Sequence, residues 1–537
     1  MIQENLVCAS FLSAVFPTLR SLWLKITLRP SWAGLTLVLI FGLGVLFRVY
    51  GLGDRDLWAD EAWVALAALQ DTPAAALAAG ESTPPLYLLT VWALARALSG
   101  SEAVLRSLSL FFGLGTLFLF WPLARRLTPL PASLLGLAMV SFSPITVYFA
   151  KELKQYSGDA FFAVLIFFLV ERLRLRESGW MWAALVLAGI LGLGFSHALV
   201  FTLPAALAAL WFGLPAPRRF RAALLGGVWA AAFAAYFLLF FRGQVDPKLL
   251  SYWAQDFPDF SGLGAFLWWL AAACHRYFTY FFDYPGVYWG LPLAAAGIPA
   301  LLWQGGGRVL FYWLGPLLVT LAAAALHRYP FMGHYNGNRL MLFSAPLLYL
   351  VAAVGLVSVL GWLWEKRQRV PALVLTGLLL LLTNPVGLIK ENLDPAHNRE
   401  EIEPLVDHLK DRLQPQDWIY VYHFAVAPFK YYFQSPEERI CWGKSCVERK
   451  LEVPADRGKQ PQRLWLIASH FPSLEEMRKF TRELLGPQWR EAACLSRTSA
   501  ALFCFERQGT QLAKKTAPSA KPPGFGPPTP PGDKAYR

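Results

Sequence analysis

Eight residues, DRDLWADE at 54–61, place four carboxylates and one arginine just after the first strongly apolar run, 35–49. Charged side chains at membrane depth are costly, so acids beside an apolar run mark either a site or a loop in water. Asp60 and Glu61 are neighbours, and successive helix positions point about 100° apart, so the two diverge rather than share one proton. One can act as a general base toward a bound hydroxyl while the other orients a ligand or a helix. Asp60 equally suits the N-cap of a helix over AWVALAAL, since aspartate is a favoured cap.

Two further stretches carry chemistry of a complementary kind. SPITVYFAKELKQYSGD at 143–159 gathers Lys151, Glu152, Lys154, Tyr156 and Asp159, a mixture able to handle both a hydroxyl and a phosphate. The same composition also fits an interfacial belt of tyrosine and snorkelling lysine. HRYPFMGHYNGNR at 327–339 holds His327, Arg328, Tyr329, His334, Tyr335, Asn338 and Arg339. Arginine grips phosphate bidentately and keeps its charge at a membrane interface. His327 and His334 lie seven apart in a glycine-containing loop, which is no recognised ligand spacing. His275, Arg276 and Tyr277 fall in the amphipathic segment FLWWLAAACHRYFTYFF and are lesser candidates. No nucleotide-binding loop, dinucleotide fingerprint, zinc-protease helix or serine nucleophile elbow stands in a believable context.

The elements that must position these residues are membrane helices. The chain has 537 residues, 56% hydrophobic and 16% charged, with 22 Trp and 39 Phe. Its apolar runs match the roughly 20 residues that cross a bilayer, and lipid leaves such spans little choice but helix. Spans are expected at about 32–50, 103–124, 132–150, 160–170, 180–196, 198–212, 222–241, 288–303, 309–326, 340–364 and 371–389. The short apolar piece after Pro84 is expected to lie at the interface or re-enter. Residues 1–31 read as a cytoplasmic lead-in with Arg20, Lys25 and Arg29 and no signal-peptide cleavage site. Basic turns at 125–126, 172–176, 218–221, 308 and 366–369 then all fall inside, as the positive-inside rule requires. The net charge of +13 is thereby an orientation signal and not a nucleic-acid footprint. Every loop rich in acids, tyrosine and histidine falls on the opposite face.

Beyond residue 389 the pattern alternates helix-like stretches (EEIEPLVDHLKDRL, LEEMRKFTRELL) with strand-like ones (DWIYVYHF, RLWLIAS, ALFCFER). A small α/β domain at 390–508 on the outer side is expected, following the membrane domain at 32–389. Four of the six cysteines lie in it, and an oxidising compartment would allow Cys441 with Cys446 and Cys494 with Cys504 to pair; reduced, buried thiols are the alternative. The Pro/Gly/Lys-rich stretch 509–537 has the composition of a disordered tail.

Taken in order, LWADEAW, TPPLYLLTVW with GSEAVLRSLSLFFGLGTLFLFWPLARRL, SPITVYFAKELKQYS and YPFMGHYNGNRLMLFSAPLL resemble the bacterial C-type glycosyltransferases. The likeness is to the protein mannosyltransferase/aminoarabinose transferase superfamily, glycosyltransferase family 39-like, and covers about 32–365. It implies an all-α GT-C membrane domain of about eleven helices in the bacterial inner membrane. It implies an enzyme that takes a sugar from a polyisoprenyl-phosphate carrier to a glycan, lipid or protein acceptor on the periplasmic face, usually with inversion. The family's first-loop acid carries over to Asp60, with Glu61 beside it, and the second-loop acid to Glu152 or Asp159. Arg339 and Lys154 match the residues that hold the lipid phosphate, with Arg55 a further match; Tyr156, His275, Arg276 and Tyr335 complete the expected binding set. Thr83 stands where the family often has histidine before Pro-Pro. Some relatives bind a divalent metal; no ligand set here identifies one. The rival readings are a lipid or glycan transporter, which would place ionisable groups near the bilayer midplane, and a non-catalytic glycan-binding relative.

Overall fold

A helix leaving a bilayer needs its polar ends tied down, and much of this fold consists of such ties. The computed structural model describes residues 30–80, 82–242, 251–282, 287–393, 399–434, 439–443 and 461–508. The chain divides into two compact units: 1–54 with 67–395, and 55–66 with 396–537.

The first unit is helical. In chain order its elements include α1 (Pro30–Val49), α2 (Ala59–Ala68, whose first turns belong to the second unit), α3 (Pro73–Ala79) and α4 (Pro85–Ala97). There follow α5 (Glu102–Leu127), α6 (Leu130–Phe142), α7 (Pro144–Ala150), α8 (Tyr156–Leu175), α9 (Gly179–Phe195), α10 (Leu199–Gly213) and α11 (Ala216–Tyr236). The rest are α12 (Leu263–Phe282), α13 (Val287–Trp303), α14 (Gly307–Ala325), α15 (Ala345–Glu365), α16 (Arg369–Thr383) and α17 (Pro385–Leu393). Among the described residues five helices are long and apolar enough to cross a membrane: Trp32–Val49, Glu102–Leu127, Ala216–Phe241, Gly307–Ala325 and Gly337–Glu365. Counting α6 with α7 (bent by 55°) and α12 with α13 (bent by 106°) as single spans brings the number to seven. The apolar helices α9 and α10 are shorter, and α8 carries Asp159, Glu171, Arg172 and Arg174.

The expected span at 132–150 is a broken one, and the cause is local. Pro144 has no N–H to give and disfavours helix at Ser143, so α6 stops there. The carbonyls freed by the break are met by Arg48, fully buried on α1, which donates to Val140 O, Ser141 O and Gly44 O at 2.9 Å each. Tyr349 of α15 closes the break from the other side, its hydroxyl 2.8 Å from Ser143 Oγ and donating to Phe281 O at 2.8 Å. The expected span at 371–389 is likewise two helices, α16 and α17, parted at Asn384 (φ 41°). α15, buried along most of its N-terminal half, is packed on α13 through facing glycines. A Cβ on Gly355 would lie 1.9 Å from Leu293 O, and one on Gly297 2.1 Å from Val351 O. Such small-residue crossings are how helices approach closely in lipid.

The second unit holds a five-stranded mixed sheet, β1 (Trp418–Val421), β2 (Ile440–Trp442), β3 (Arg463–Ser469), β4 (Trp489–Arg497) and β5 (Ala500–Arg507), in the order β2-β1-β3-β5-β4. β1 pairs parallel with β2 and β3; β3, β5 and β4 are antiparallel. Around it lie α18 (Glu403–Arg412), α19 (Val426–Phe433) and α20 (Leu474–Leu485). Alternation places Trp418, Tyr420, Leu464, Leu466, Phe503 and Phe505 in one core with Met477 and Leu484 of α20. Buried Asp417 ties β1 to β3, gripped by the Arg463 guanidinium and accepting from Trp465 Nε1 at 2.9 Å. Cys494 and Cys504 are free thiols. Their strands are adjacent, but Cys494 is paired with Phe503 and Cys504 with Ala493. The two side chains are one register position apart, on opposite faces of the sheet, where a disulfide is not reachable. Cys441 is also free, and its expected partner Cys446 lies outside the described residues, as do 1–29 and the tail from 509.

Candidate active site

The site residues fall into two groups, one in each unit. In the second unit, residues 56–59 are tied one after another to the C-terminal part of the chain, and Arg55 is tied within the motif itself. Arg55, buried, pairs with the fully buried Glu61 at 3.6 Å. Asp56 Oδ2 accepts from Glu403 N–H at 2.8 Å, and the Leu57 N–H donates to Tyr432 Oη at 2.8 Å. The Arg399 guanidinium lies 4.4 Å from the centre of the Trp58 ring, a cation–π contact. The Ala59 N–H donates to Glu400 Oε2 at 3.3 Å. Each tie fixes a short extended stretch that has no regular ladder of its own.

That stretch delivers α2, whose first turn contains both acids. The helix begins at Ala59, with the Trp58 carbonyl accepting from Ala62 N–H at 2.9 Å. Asp60 is therefore inside the first turn and is not the cap. The expected divergence of the two acids is realised: Glu61 is fully buried, whereas Asp60 remains partly exposed. A helix N-terminus favours negative charge there. Asp54 is exposed and belongs to the first unit.

Glu400, itself 1% exposed, also holds a histidine that the sequence did not single out. His470 Nδ1 lies 2.7 Å from Glu400 Oε1, at the end of β3. The hydrogen bond to Glu400 chiefly, with the charges of Glu400 and Asp60, raises the imidazole above its ordinary value; burial and Arg399 oppose.

In the first unit the broken helix pair delivers 151–159. Glu152 is fully buried and accepts from Tyr148 Oη at 3.4 Å. The Lys154 backbone is pinned by Ser109, whose hydroxyl donates to Lys154 O at 3.0 Å and contacts Tyr87 Oη at 2.7 Å. The Lys154 side chain stays partly exposed. Asp159, buried, accepts from Ser196 Oγ at 2.5 Å, and the same hydroxyl accepts from Leu199 N–H at 3.0 Å. Arg339 sits in a ten-residue 3-10 segment, Tyr335–Ser344, with its guanidinium 5.5 Å from the centre of the Tyr156 ring. Runs of 3-10 helix longer than three or four residues are uncommon and often mark functional positions. Tyr329 joins this group: burial first, then Asp159 and Tyr156, push its phenol well above its ordinary value, with Arg339 opposing. Tyr156, Asp159, Arg339 and Tyr329 are thus one cluster. The Arg339 guanidinium is within cation–π distance of the Tyr156 ring, and a guanidinium is the side chain suited to meeting a phosphate bidentately.

Arg276, one of the lesser candidates, is tied to the 327–339 loop. Its Nε donates to Met332 O at 3.2 Å, bracing that loop. Asp256 braces the same loop, accepting from His334 N–H at 2.9 Å and pairing with the His334 ring. His275 is exposed on α12, and the Tyr335 side chain lies outside the described residues. Among the described residues no group of three His, Cys, Asp or Glu is placed to hold a metal ion.

No protein-family model matches the chain, and no curated protein matches it. Solved structures do. ArnT from Cupriavidus metallidurans bound to undecaprenyl phosphate is 12% identical, with 92% of this chain and 100% of that chain covered at a TM-score of 0.49. The archaeal oligosaccharyltransferase AglB from Archaeoglobus fulgidus, in complex with an inhibitory peptide and a dolichol-phosphate, is 11% identical over 89% of this chain and 74% of that chain, TM-score 0.47. The Archaeoglobus fulgidus oligosaccharyltransferase in complex with Zn and sulfate is 14% identical over 75% and 62%, TM-score 0.45. At such identities and scores the likeness decides neither substrate nor mechanism, which rest on the residues themselves.

Proposed function

We propose that the chain is an integral-membrane glycosyltransferase that moves a sugar from a polyisoprenyl-phosphate carrier to an acceptor hydroxyl, with Asp60 as general base. The observation that carries the reading is the setting of Asp60. It is a partly exposed carboxylate on the first turn of a helix led in by a stretch held by the Glu403 N–H, the buried Tyr432 hydroxyl and the buried Glu400 carboxylate. A base must be fixed in direction yet open to substrate, and this arrangement supplies both.

In the proposed reaction Asp60 takes the acceptor hydroxyl proton as the oxygen attacks the anomeric carbon. The bond from that carbon to the phosphate oxygen breaks, its electron pair leaves with the carrier phosphate, and configuration inverts. Arg339 and Lys154 are assigned to the phosphate, where fixed cations lower the barrier as charge develops. Glu152 and Asp159 are assigned to orienting these groups, not to proton transfer, since both are buried. Asp159 is further engaged by Ser196. The proposal includes about eleven spans, the short or charged apolar helices among them, with the site on the periplasmic side.

The test is transfer from a radiolabelled polyisoprenyl-phosphate sugar pool in membranes carrying wild type or Asp60→Asn at matched expression. A general base contributes about 10²–10⁴-fold, so the variant is expected to lose at least about 100-fold. Equal transfer by both removes Asp60 from the reaction. No transfer by either moves the reading to carrier binding or transport.

A further inference from the structure

The second unit contains a pair that the sequence motifs do not predict. Glu400 is buried, and its two oxygens are used in two directions. Oε2 accepts from the backbone N–H of Ala59, the residue immediately before Asp60, at 3.3 Å; Oε1 binds His470 Nδ1 at 2.7 Å. One carboxylate therefore fixes both the start of α2 and the imidazole. The His470 side chain is 44% exposed while Glu400 is 1% exposed, so the ring's outer edge remains accessible beside a buried anchor. The His470 backbone is held as well, in the left-handed region at φ 68° with its N–H donating to Ser499 O at 2.9 Å. A non-glycine residue held there is uncommon, and such outliers cluster at functional sites. The Phe424 ring packs on the imidazole at 4.6 Å between centres.

We propose that His470, anchored by Glu400, is a positioning residue that holds a positive imidazolium beside Asp60 and keeps that carboxylate ionised for its role as base. This rests on the glycosyl-transfer reading above and extends it to a residue outside the stretch of family resemblance. The charged groups that act on the imidazole are Glu400, Asp60 and Arg399. The hydrogen bond to Glu400 is the largest influence toward the cationic form, with the charges of Glu400 and Asp60 behind it; burial and Arg399 oppose. Its chemical use is specific to an anionic substrate. A carrier phosphate approaching a carboxylate base raises the base's proton affinity, and a fixed cation beside the base opposes that rise.

Two linked measurements test it on the full chain in lipid nanodiscs. The first follows ring carbons of labelled histidine by NMR through a pH titration, with His470 assigned by His470→Gln. The His470 midpoint is expected above about 6.5 and is expected to fall in Asp60→Asn and in Glu400→Gln. An unchanged midpoint in Asp60→Asn overturns the proposal, whether or not the protein transfers sugar. The second compares pH profiles of transfer. Removing a cation beside a carboxylate makes that carboxylate easier to protonate, so the acid limb of kcat/KM in His470→Gln should move to higher pH. The loss should be several-fold greater at pH 6 than at pH 8, with His470→Lys restoring the limb. A variant limb that superimposes on the wild type overturns the positioning role. Absence of transfer by wild type at every pH sinks the transferase reading, and the NMR titration then decides the ion pair alone.

Discussion

Asp60 and Glu61 are neighbours in sequence with opposite surroundings, and substitutions at the two should separate accordingly. Glu61→Gln breaks the pair that a fully buried carboxylate makes with Arg55, a change that typically costs about 3–5 kcal/mol; thermal unfolding of the purified chain should show a clear drop. Asp60→Asn, at a partly exposed position, should leave the melt within about 1 kcal/mol of wild type while transfer collapses. A melt that moves equally for both would mean the two acids share one structural role. His470 adds a pH dependence whose sign is fixed by its raised value. Its pairing stabilises the folded state fully below the ordinary imidazole value of about 6.5, and that contribution is lost as pH rises through the higher folded value. The wild type should therefore lose more stability than His470→Gln between pH 6 and pH 9. The divergence of the two acids was legible from helical geometry alone. Glu400 and His470 were not, because neither has a local motif and 341 residues separate Glu400 from the backbone it binds.

At the scale of elements, helix breaks and crossings carry the site. The Ser143–Pro144 step was visible in the sequence, yet 132–150 read as one span because hydropathy runs straight through it. What turns the step into a 55° bend is tertiary: Arg48 and Tyr349 satisfy the groups the break exposes. The 3-10 segment Tyr335–Ser344 was read partly as loop and partly as span, since its composition has no periodic signature. The sheet was foreseen from alternation in RLWLIAS and ALFCFER, but the offset of Cys494 from Cys504 depends on strand register, which single-strand patterns do not report. Close contact between α13 and α15 gives a direct test. Gly355→Leu places new atoms where Leu293 O already sits and should cost at least about 1–3 kcal/mol, read as a lowered melting temperature and a poorer monodisperse yield. Gly227 has nothing within 4 Å of an added Cβ, so Gly227→Ala should leave both nearly unchanged.

For the whole molecule, the orientation proposed from basic turns can be checked in intact cells. In a cysteine-free background, a single cysteine at Ser261 should react with a membrane-impermeant maleimide, and one at Arg218 only after permeabilisation; both side chains are exposed. The reverse pattern would invert the orientation. Helix content and the C-terminal sheet were readable from hydropathy and alternation. The division into units was only partly so, because residues 55–66 group with 396–537 and leave the helices that flank them in sequence. That grouping has a consequence for how the protein is made. The acidic motif emerges early, but the partner of Ala59 follows 341 residues later, roughly 17–70 s at the 5–20 residues per second of synthesis. Throughout that interval the nascent chain carries its candidate base with no scaffold to aim it. A chain that stops short of residue 400 lacks the carboxylate that holds Ala59, so the acidic motif acquires its setting only once the C-terminal unit has been made.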